Sequence, residues 1–419
     1  MTAKADTVLT NLKLLDVHLG ALKDGLNVTI DGDTIKDVTD RPPQGGNVID
    51  LGGRVLMPGL IDCHVHVTAV QLNLAPTRQL PVSLVIAGSS RIMREMIQRG
   101  FTTVRDAGGA DRGLKLAIEQ GLFVGPRLFI CGRAISQTGG HGDFRPQLDQ
   151  PDPGDLDHLF DGIGRLADGV PEVRRAARDE IRLGADHIKI MASGGVASVA
   201  DPIDFLQYSD EEIAAFVDEA CRARTYVMAH TYTADAIERC VRLGVRSIEH
   251  ANLIDDRTAA LMVERDAFMV PTLSTYDALA REGKALGFSE IGLSKLKRVL
   301  EVGTKSLEIA KAAGVKMAYG TDLLGDLHRC QSDDFRLRSE VLSAADIIRG
   351  ATVVGAELIG MKGRLGVVAP GALADLLIVD GNPLNNLALL QNQGASLTAI
   401  MQGGQFIKNE LTSAATATG

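Results

Sequence analysis

The sequence lacks several features that mark whole classes of proteins. Its five cysteines are scattered and form no Cys-X-X-Cys pair, which argues against a disulfide framework or a structural zinc site. No apolar run approaches the roughly 20 residues needed to cross a bilayer. No block of lysine or arginine stands out, and the net charge is −9 with mixed signs throughout. We therefore expect neither a membrane nor a nucleic acid as a partner.

The start of the sequence does not resemble a signal peptide. Residues Met1–Thr10 do not show the basic region followed by an apolar stretch that such a peptide requires. We expect a cytoplasmic protein, with a removed signal peptide as the alternative. The composition is that of a globular chain, since 45% of the 419 residues are hydrophobic and 23% are charged. This length allows several domains or one large α/β barrel.

From residue 55 onward, apolar runs of strand length alternate with amphipathic segments. The runs cover residues 55–66, 102–106, 127–131, 187–191, 226–230, 247–250, 268–272 and 316–322. The helix-like segments cover residues 83–99, 111–120, 170–183, 210–224, 233–243, 255–266 and 289–313. Continuous apolar strands that alternate with helices predict a parallel sheet. About eight repeats predict an α/β fold closed into a (β/α)8 TIM barrel.

The two ends of the chain have a different pattern. Residues 1–54 alternate short β-rich runs with turns, and residues 361–412 return to this pattern after a final helix at about 344–359. We expect both ends to form one small β-sandwich beside a barrel of residues 55–360. The small, polar residues 413–419 are expected to be a frayed tail.

The first apolar run ends in a His-X-His pattern. Side chains at positions i and i+2 of a strand point to the same face, so His64 and His66 would present two imidazoles side by side. Neutral imidazole is a common metal ligand. An isolated His-X-His also occurs as surface or capping histidines, so the rest of the chain has to decide. Cys63 would face the opposite side as a small buried residue.

Other predicted strands carry polar residues where they end. Active sites of such barrels lie at the C-terminal ends of the strands, which would gather His64, His66, Lys189, His230, His250 and Asp322 at one mouth. Lys189 is unusual there, because an ammonium group repels metal ions and is costly to bury unpaired. It either pairs with an acid or reacts with carbon dioxide to give a carbamate with two oxygen donors.

These residues stand in segments that resemble the amidohydrolase superfamily of binuclear metal hydrolases. The matching segments are Pro58–His66, Ile188–Ile190, Ala229–Tyr232, Ile248–His250, Gly320–Asp322 and Gly371–Leu376, which together span nearly the whole chain. The resemblance implies two divalent ions, usually zinc, with the following ligands: His64, His66 and Asp322 for one ion, His230 and His250 for the other, and carbamylated Lys189 as a bridge. Carbon dioxide or bicarbonate would supply the carbamate.

The same resemblance implies a mechanism. Two metal ions lower the pKa of a bridging water, so that hydroxide exists near neutral pH. The hydroxide attacks a polarised carbonyl carbon, and Asp322 passes the proton to the leaving amine.

Two glycine-rich segments indicate which subgroup of this superfamily the sequence resembles. Ser136–Asp143 and Ser193–Ser198 lack the Gly-Lys-Ser/Thr of a phosphate-binding loop, and their glycines permit close approach to a ligand. With His230-Thr231-Tyr232, they resemble the subgroup of Xaa-Pro dipeptidases, Xaa-Arg/Lys carboxypeptidases and ochratoxin-hydrolysing amidases. This resemblance implies that His141 and Tyr232 polarise the substrate carbonyl or hold its carboxylate. The alternatives are a loop histidine and a core aromatic.

We therefore expect a homo-oligomeric hydrolase that cleaves the amide bond to a C-terminal amino acid with a free carboxylate. Asp326 is followed by His328 and Arg329, so the loop after the eighth strand is not clearly acidic. This favours an Xaa-Pro substrate over a basic one, with ochratoxin-type amides as an alternative. A cyclic amide or imidazolone hydrolase and a non-enzymatic assembly protein stay open. The latter has no need for two bound ions.

Overall fold

The computed structural model describes residues 6–74, 80–145, 163–198 and 201–411. They form two compact units. The first contains the described residues within 1–62, 95–103 and 342–419, and the second contains those within 63–94 and 104–341. The predicted tail, residues 413–419, lies outside the described residues. The predicted domain boundaries stay predictions.

The regular elements follow the chain in this order. The strands are β1 (Thr7–Asp16), β2 (Ala21–Asp31), β3 (Thr34–Thr39), β4 (Asn47–Asp50), β5 (Val55–Pro58), β6 (Leu60–Val65), β7 (Phe101–Asp106), β8 (Arg127–Phe129), β9 (Ala134–Ser136), β10 (Gly164–Leu166), β11 (Ile188–Met191), β12 (Val227–Thr233), β13 (Ser247–Leu253), β14 (Phe268–Val270), β15 (Lys316–Met317), β16 (Leu376–Val379), β17 (Leu397–Gln402) and β18 (Gln405–Asn409). The helices are α1 (Val82–Gln98), α2 (Arg112–Glu119), α3 (Gly169–Arg182), α4 (Asp210–Arg222), α5 (Ala234–Arg242), α6 (Asp256–Glu264), α7 (Leu273–Glu282), α8 (Glu290–Val302), α9 (Lys305–Ala313), α10 (Asp333–Arg338), α11 (Ala344–Arg349) and α12 (Gly355–Leu358).

The first unit is built on a mixed sheet to which both ends of the chain contribute. Its strand order is β18-β17-β16-β5-β1-β2-β3, and β4 also pairs with β1. β1 runs parallel to β4 and β5 and antiparallel to β2, while β16 is antiparallel to β5 and β17. The two ends of the chain therefore share one hydrogen-bonded sheet, as expected from their common pattern. Its arrangement as a two-layered sandwich stays a prediction.

The apolar run 55–66 forms two strands instead of the single strand that we predict from the sequence. β5 belongs to the mixed sheet, whereas β6 belongs to a three-stranded sheet of order β6-β7-β8. The chain changes sheet at Gly59, whose amide donates to the carbonyl of Asp375 at 2.8 Å. A Cβ atom at this position would collide with the side chain of Thr102. The point at which the chain passes from one sheet to the other therefore requires glycine, because a larger residue would not fit beside Thr102.

The second unit contains a seven-stranded parallel sheet that positions most of the predicted site. Its order is β10-β9-β11-β12-β13-β14-β15, and each of its strand pairs is parallel. This confirms an α/β fold with a parallel sheet. Backbone hydrogen bonds of 2.8 Å, from Cys63 to Tyr319 and from Asp322 to His64, join β6 to the segment after β15. Closure into a (β/α)8 barrel stays a prediction.

Helix α3 shows how the helices of the second unit pack. Val173, Ala176 and Ala177 of α3 lie at i, i+3 and i+4, and they join one buried cluster with Ile188 and Ile190 of β11. No helix in the described ranges is long and apolar enough to cross a membrane.

The structure contains helices and strands that the sequence does not predict, namely α7, α10, β9 and β10. α10, β9 and β10 are too short to show a clear period, and α7 buries Ser274 and Thr275 beside its apolar residues, so it lacks a clear apolar stripe. The predicted helix 289–313 is interrupted at Gly303, where φ is 47°. Gly314 ends α9 in the left-handed conformation, with φ of 84°, as expected for glycine after a helix.

Candidate metal centre

The structure brings the predicted metal ligands of the second unit into one cluster. The Nε2 atoms of His64 and His66 lie 3.4 and 3.1 Å from the same oxygen, Oδ1 of Asp322. The ring centroids of His64 and His250 are 5.0 Å apart, and those of His230 and His250 are 4.5 Å apart. His250 therefore lies between the two sets of ligands that the sequence assigns to two ions.

Three members of this cluster lie close enough together to share one metal ion. One ligand atom each of His64, His250 and Asp322 falls within 4.8 Å of the others. Lys189 is 1% exposed and lies close enough for its charge to lower the pKa of both His230 and His250. It is the second residue of β11 instead of the last, so the predicted position at the strand end is wrong by two residues.

Each of the four histidines uses one ring nitrogen for a hydrogen bond within the protein. These contacts are His64 Nδ1 with Glu249 Oε2 at 2.7 Å, His66 Nδ1 with Gly108 O at 3.0 Å, His230 Nε2 with Gly194 O at 3.3 Å, and His250 Nδ1 with Thr272 Oγ1 at 2.8 Å. The carboxylate and carbonyl oxygens beside His64, His66 and His230 can only accept, so the contacting nitrogen of each of these rings carries the proton, whereas the Thr272 hydroxyl beside His250 can donate or accept. The other nitrogen then offers a lone pair. Histidines that bind metal ions are held in this way, and the residues present therefore fit a metal centre.

A buried ion pair stands behind His64. Glu249 and Arg105 are both fully buried, and the guanidinium Nη2 lies 2.9 Å from Oε1 of the carboxylate. Burial raises the pKa of Glu249, but Arg105 and His64 together lower it to about 2. The carboxylate is therefore ionised and accepts the Nδ1 proton of His64. Arg105 also donates to Ser247 Oγ at 3.0 Å and to the carbonyl of Cys63 at 2.7 Å.

The backbone is distorted at two of the predicted ligands. His250 and Asp322 have φ values of 70° and 54°, which side chains other than glycine rarely adopt. The pairing of β12 with β13 shifts its register just after His250, as in a β-bulge. Bulges and left-handed residues near active sites redirect side chains. The eighth strand is shorter than predicted, since β15 ends at Met317 and not at residue 322. Asp322 therefore lies five residues after the end of its strand.

Burial sets the protonation states of the cluster. Desolvation holds the pKa values of His230 and His250 well below the usual range, so both rings are neutral. Burial alone would raise the pKa of Asp322, but the neighbouring His64 and His66 hold it well below normal. Neutral imidazoles beside an ionised carboxylate form a donor set of the kind that zinc accepts.

Tyr232 and His141, the two predicted substrate residues, lie against this cluster. The Tyr232 ring stacks on His250 with centroids 5.2 Å apart, and its hydroxyl is 2.8 Å from the hydroxyl of Tyr276. The His141 ring stacks on His230 with centroids 4.1 Å apart. The structure thus brings all eight predicted site residues into one continuous group.

Several residues of this group escape sequence reasoning. Arg105 and Glu249 could have been noticed in the sequence, because each is a charged residue inside an apolar run. An unpaired charge is costly to bury there, so each would be expected to have a partner. Tyr276 lies on α7, a helix that the sequence does not reveal. Asp201, which contacts His141, has no sequence signal because it lies in a loop.

Comparison with known proteins identifies the family. The model of the amidohydrolase family matches residues 55–405, and the chain belongs to this family. Ochratoxinase from Aspergillus niger is 33% identical over 371 residues, which cover 84% of this chain and 76% of that protein. The crystal structure of a prolidase complexed with N-methylphosphonate-L-proline is 51% identical, with a TM-score of 0.94, over 96% of this chain and 100% of that one. A Xaa-Pro dipeptidase with bound methionine in its active site is 30% identical, with a TM-score of 0.85, over 97% and 100%.

These findings confirm the predicted family and the prediction that the protein is a hydrolase. The assignment of individual ligands, the identity of the metal and the carbamate on Lys189 stay predictions.

Proposed function

We propose that this protein hydrolyses the amide bond to a C-terminal amino acid, with Xaa-Pro dipeptides and N-acyl prolines as its substrates. The observation that carries this proposal is the 51% identity to a prolidase whose structure contains N-methylphosphonate-L-proline. That ligand combines a proline carboxylate with a tetrahedral phosphonyl group on nitrogen. A carbonyl carbon under attack by water has the same shape, and compounds of this shape bind tightly to enzymes that stabilise it.

The proposal includes the architecture expected from the sequence. The parallel order of the seven-stranded sheet and the hydrogen bonds between β6 and the segment after β15 support a (β/α)8 barrel. The shared terminal sheet supports a small β-sandwich formed by both chain ends.

Two divalent ions, which we take to be zinc, would be held by the clustered residues. His64, His66 and Asp322 would bind one ion, His230 and His250 would bind the other, and carbamylated Lys189 would bridge them. Such ions polarise a carbonyl group and lower the pKa of bound water.

The environment of Lys189 favours carbamylation. Burial is the main cause that lowers the pKa of this amine. The neutral amine is the form that adds to carbon dioxide, with a new bond from Nζ to carbon and the release of one proton. The product replaces a buried cation by an anion among ligands of metal ions.

Asp322 would transfer the proton that hydrolysis requires. Its lowered pKa keeps the carboxylate ionised at neutral pH, so it can accept a proton from the attacking water. It would then give this proton to the proline nitrogen, because an amine leaves poorly unless it is protonated.

Tyr232 and His141 would bind the polar groups of the substrate. Burial raises the pKa of Tyr232 well above its usual value, so the phenol stays protonated at neutral pH and can donate a hydrogen bond. A donor of this kind, prepositioned in a buried site, stabilises a carboxylate or a developing oxyanion.

Ochratoxin-type amides are the second candidate substrates, because Aspergillus niger ochratoxinase is 33% identical over most of this chain. They share the leaving group with a free carboxylate. Cyclic amides and imidazolones lack a leaving group with a free carboxylate. Their turnover would therefore indicate that the same metal centre serves a cyclic amide hydrolase.

The test compares N-acyl prolines that have a free carboxylate with their C-terminal amides. We expect the amide to lower kcat/KM by about 30-fold to 1000-fold, which corresponds to ~2–4 kcal/mol from the loss of charge-assisted hydrogen bonds. Tyr232→Phe should weaken turnover of the free acid more than that of the amide, and the four values give a coupling energy. Equal cleavage of both substrates by the parent enzyme would overturn the proposal. Faster cleavage of hydantoins or imidazolones would indicate a cyclic amide or imidazolone hydrolase instead.

Cytoplasmic location and homo-oligomeric assembly remain further parts of the proposal. Light scattering of the purified protein measures its assembly directly, and a monomer at micromolar concentration would contradict the oligomer.

A further inference from the structure

The His141 ring packs closely against two residues of the second unit. It stacks on His230, with an angle of 17° between the ring planes. It also lies against Gly195, where an added Cβ atom would come within 2.7 Å of both ring nitrogens. The sequence suggests that the glycine-rich segment after β11 leaves room for a ligand. The structure shows that Gly195 leaves room for the His141 ring.

A buried carboxylate faces one nitrogen of this ring. Asp201 is fully buried, and its Oδ2 atom lies 3.2 Å from Nδ1 of His141. Ser198 Oγ is 2.9 Å from the same nitrogen and also hydrogen-bonds to Asp201. Burial raises the pKa of Asp201, but hydrogen bonds from His141 and Ser198 lower it overall. Because an ionised carboxylate only accepts, Nδ1 carries the proton and Nε2 remains for a ligand.

Lys295 of α8 fastens the loop that carries this carboxylate. Its Nζ atom donates to the backbone carbonyls of Gly195 and Ser198 at 2.9 Å and of Asp201 at 2.5 Å. An ammonium group has three donors, so these three contacts use all of them. Gly195 in turn donates its amide to Asp201 Oδ2 at 3.1 Å. The backing of His141 is therefore a closed network between a loop and a helix.

We propose that Asp201 and Lys295 are positioning residues that hold His141 with Nδ1 toward the loop and Nε2 toward the carboxylate-bearing substrate. This inference rests on the proposed function and deepens it, because it assigns the choice of substrate to the segment around Gly195, Ser198 and Asp201. Neither residue would touch the substrate. Each acts through the orientation of one imidazole, and a displacement of about 1 Å at such a group can cost about 100-fold in rate.

The first test measures whether Asp201 acts through His141. We expect Asp201→Asn to lower kcat/KM for an N-acyl proline by at least about tenfold, with the larger part of the loss specific to the free acid. In a His141→Ala background the same substitution should change kcat/KM by less than about threefold, because the group that it positions is gone. Metal content should equal that of the parent enzyme in every variant.

Lys295→Met is the second variant, since this side chain is partly exposed and its removal leaves the ionised Asp201 in place. We expect it to reduce the preference for the free acid over the amide in the same direction as Asp201→Asn. Arg298→Met is its matched control. Arg298 lies one turn later on α8 and pairs with the exposed Asp204, and its removal should leave kcat/KM unchanged.

The outcomes separate this inference from the proposed function. If the parent enzyme does not prefer the free acid, the proposed function fails. If it does, and the effects of Asp201→Asn and His141→Ala simply add, the positioning role is overturned while the proposed function stands. A loss in Lys295→Met that is equal for acid and amide substrates would also overturn it, since a general loosening of the loop affects both alike.

Discussion

The two halves of the candidate site, which both lie in the second unit, are supported by different kinds of structure. The proposed ligands His64, His66 and His250 lie on or directly after strands, and a fully buried ion pair stands behind His64. The proposed substrate residue His141 lies on a loop and is backed by a second loop and a helix. With these roles, metal binding would depend on the sheet and its buried charges. Substrate choice would depend on contacts that can change without disturbing the sheet.

The largest effect is expected on the metal side. Lys189→Ala should abolish activity and lower the metal content, because it removes the nitrogen of the proposed bridging carbamate. Short carboxylic acids should restore part of the activity by supplying two oxygen donors. Activity and metal content per chain, measured with and without the added acid, give the result. Full activity in this variant would exclude a carbamate role.

Asp322→Asn should lower kcat by roughly 100-fold to 10,000-fold, the range typical of a lost acid–base group. Asparagine still offers an oxygen to a metal ion but cannot accept and return a proton at neutral pH. The thermal midpoint of unfolding should show that the fold persists. A loss of less than about tenfold, which is only ~1.4 kcal/mol of barrier, would exclude Asp322 as the proton carrier.

Glu249→Gln should weaken metal binding by about 10-fold to 100-fold, as is typical when the partner of a metal-binding histidine is removed. The rate of zinc loss to a chelator measures this effect. Asp334→Asn is the matched control, because Asp334 is fully buried and pairs with Arg338 at 3.0 Å, while Arg338 otherwise donates to backbone carbonyls.

Both variants should lower stability, since each leaves a buried guanidinium without its carboxylate, a change that typically costs ~3–5 kcal/mol. Faster zinc loss is expected in Glu249→Gln alone. If the two variants lose zinc at the same rate, Glu249 matters only for folding.

The smallest effect is expected on the substrate side. Tyr276→Phe removes the hydroxyl that lies 2.8 Å from the Tyr232 hydroxyl, a hydrogen bond worth ~1 kcal/mol. It should lower the preference for a free acid over an amide by about fivefold, with no change in zinc loss. Kinetics on the two substrates check it, and a changed zinc content would show that the two halves are not separable at this point.

The sequence predicts the proposed metal ligands far better than the contacts that hold the proposed substrate residues. His64 and His66 are visible because a strand places positions i and i+2 on one face, and their run is apolar. Lys189, His230 and His250 are visible because they are polar residues in or directly after apolar runs. All of these signals are local. His230 and His250 come together on neighbouring strands of the parallel sheet, and backbone hydrogen bonds from β6 to the segment after β15 bring His64 beside Asp322.

The sequence is less informative where a contact joins distant positions. Glu249 reaches His64 across 185 residues, Asp201 reaches His141 across 60, and Lys295 reaches Gly195 across 100. No periodicity connects such pairs. The division of residues 55–66 between two sheets at Gly59 likewise depends on Thr102 in another strand.

The sequence by itself therefore determined the family, the parallel α/β pattern and the identity of the candidate donors, because these follow from spacing along single strands. Only the tertiary structure decided which nitrogen of each histidine is tethered, since that depends on which acceptor the fold brings beside the ring. It also decided that Gly195 makes room for His141 and that Lys295 closes the loop behind it. Those contacts arise from packing between elements, and no single segment of the sequence contains both partners.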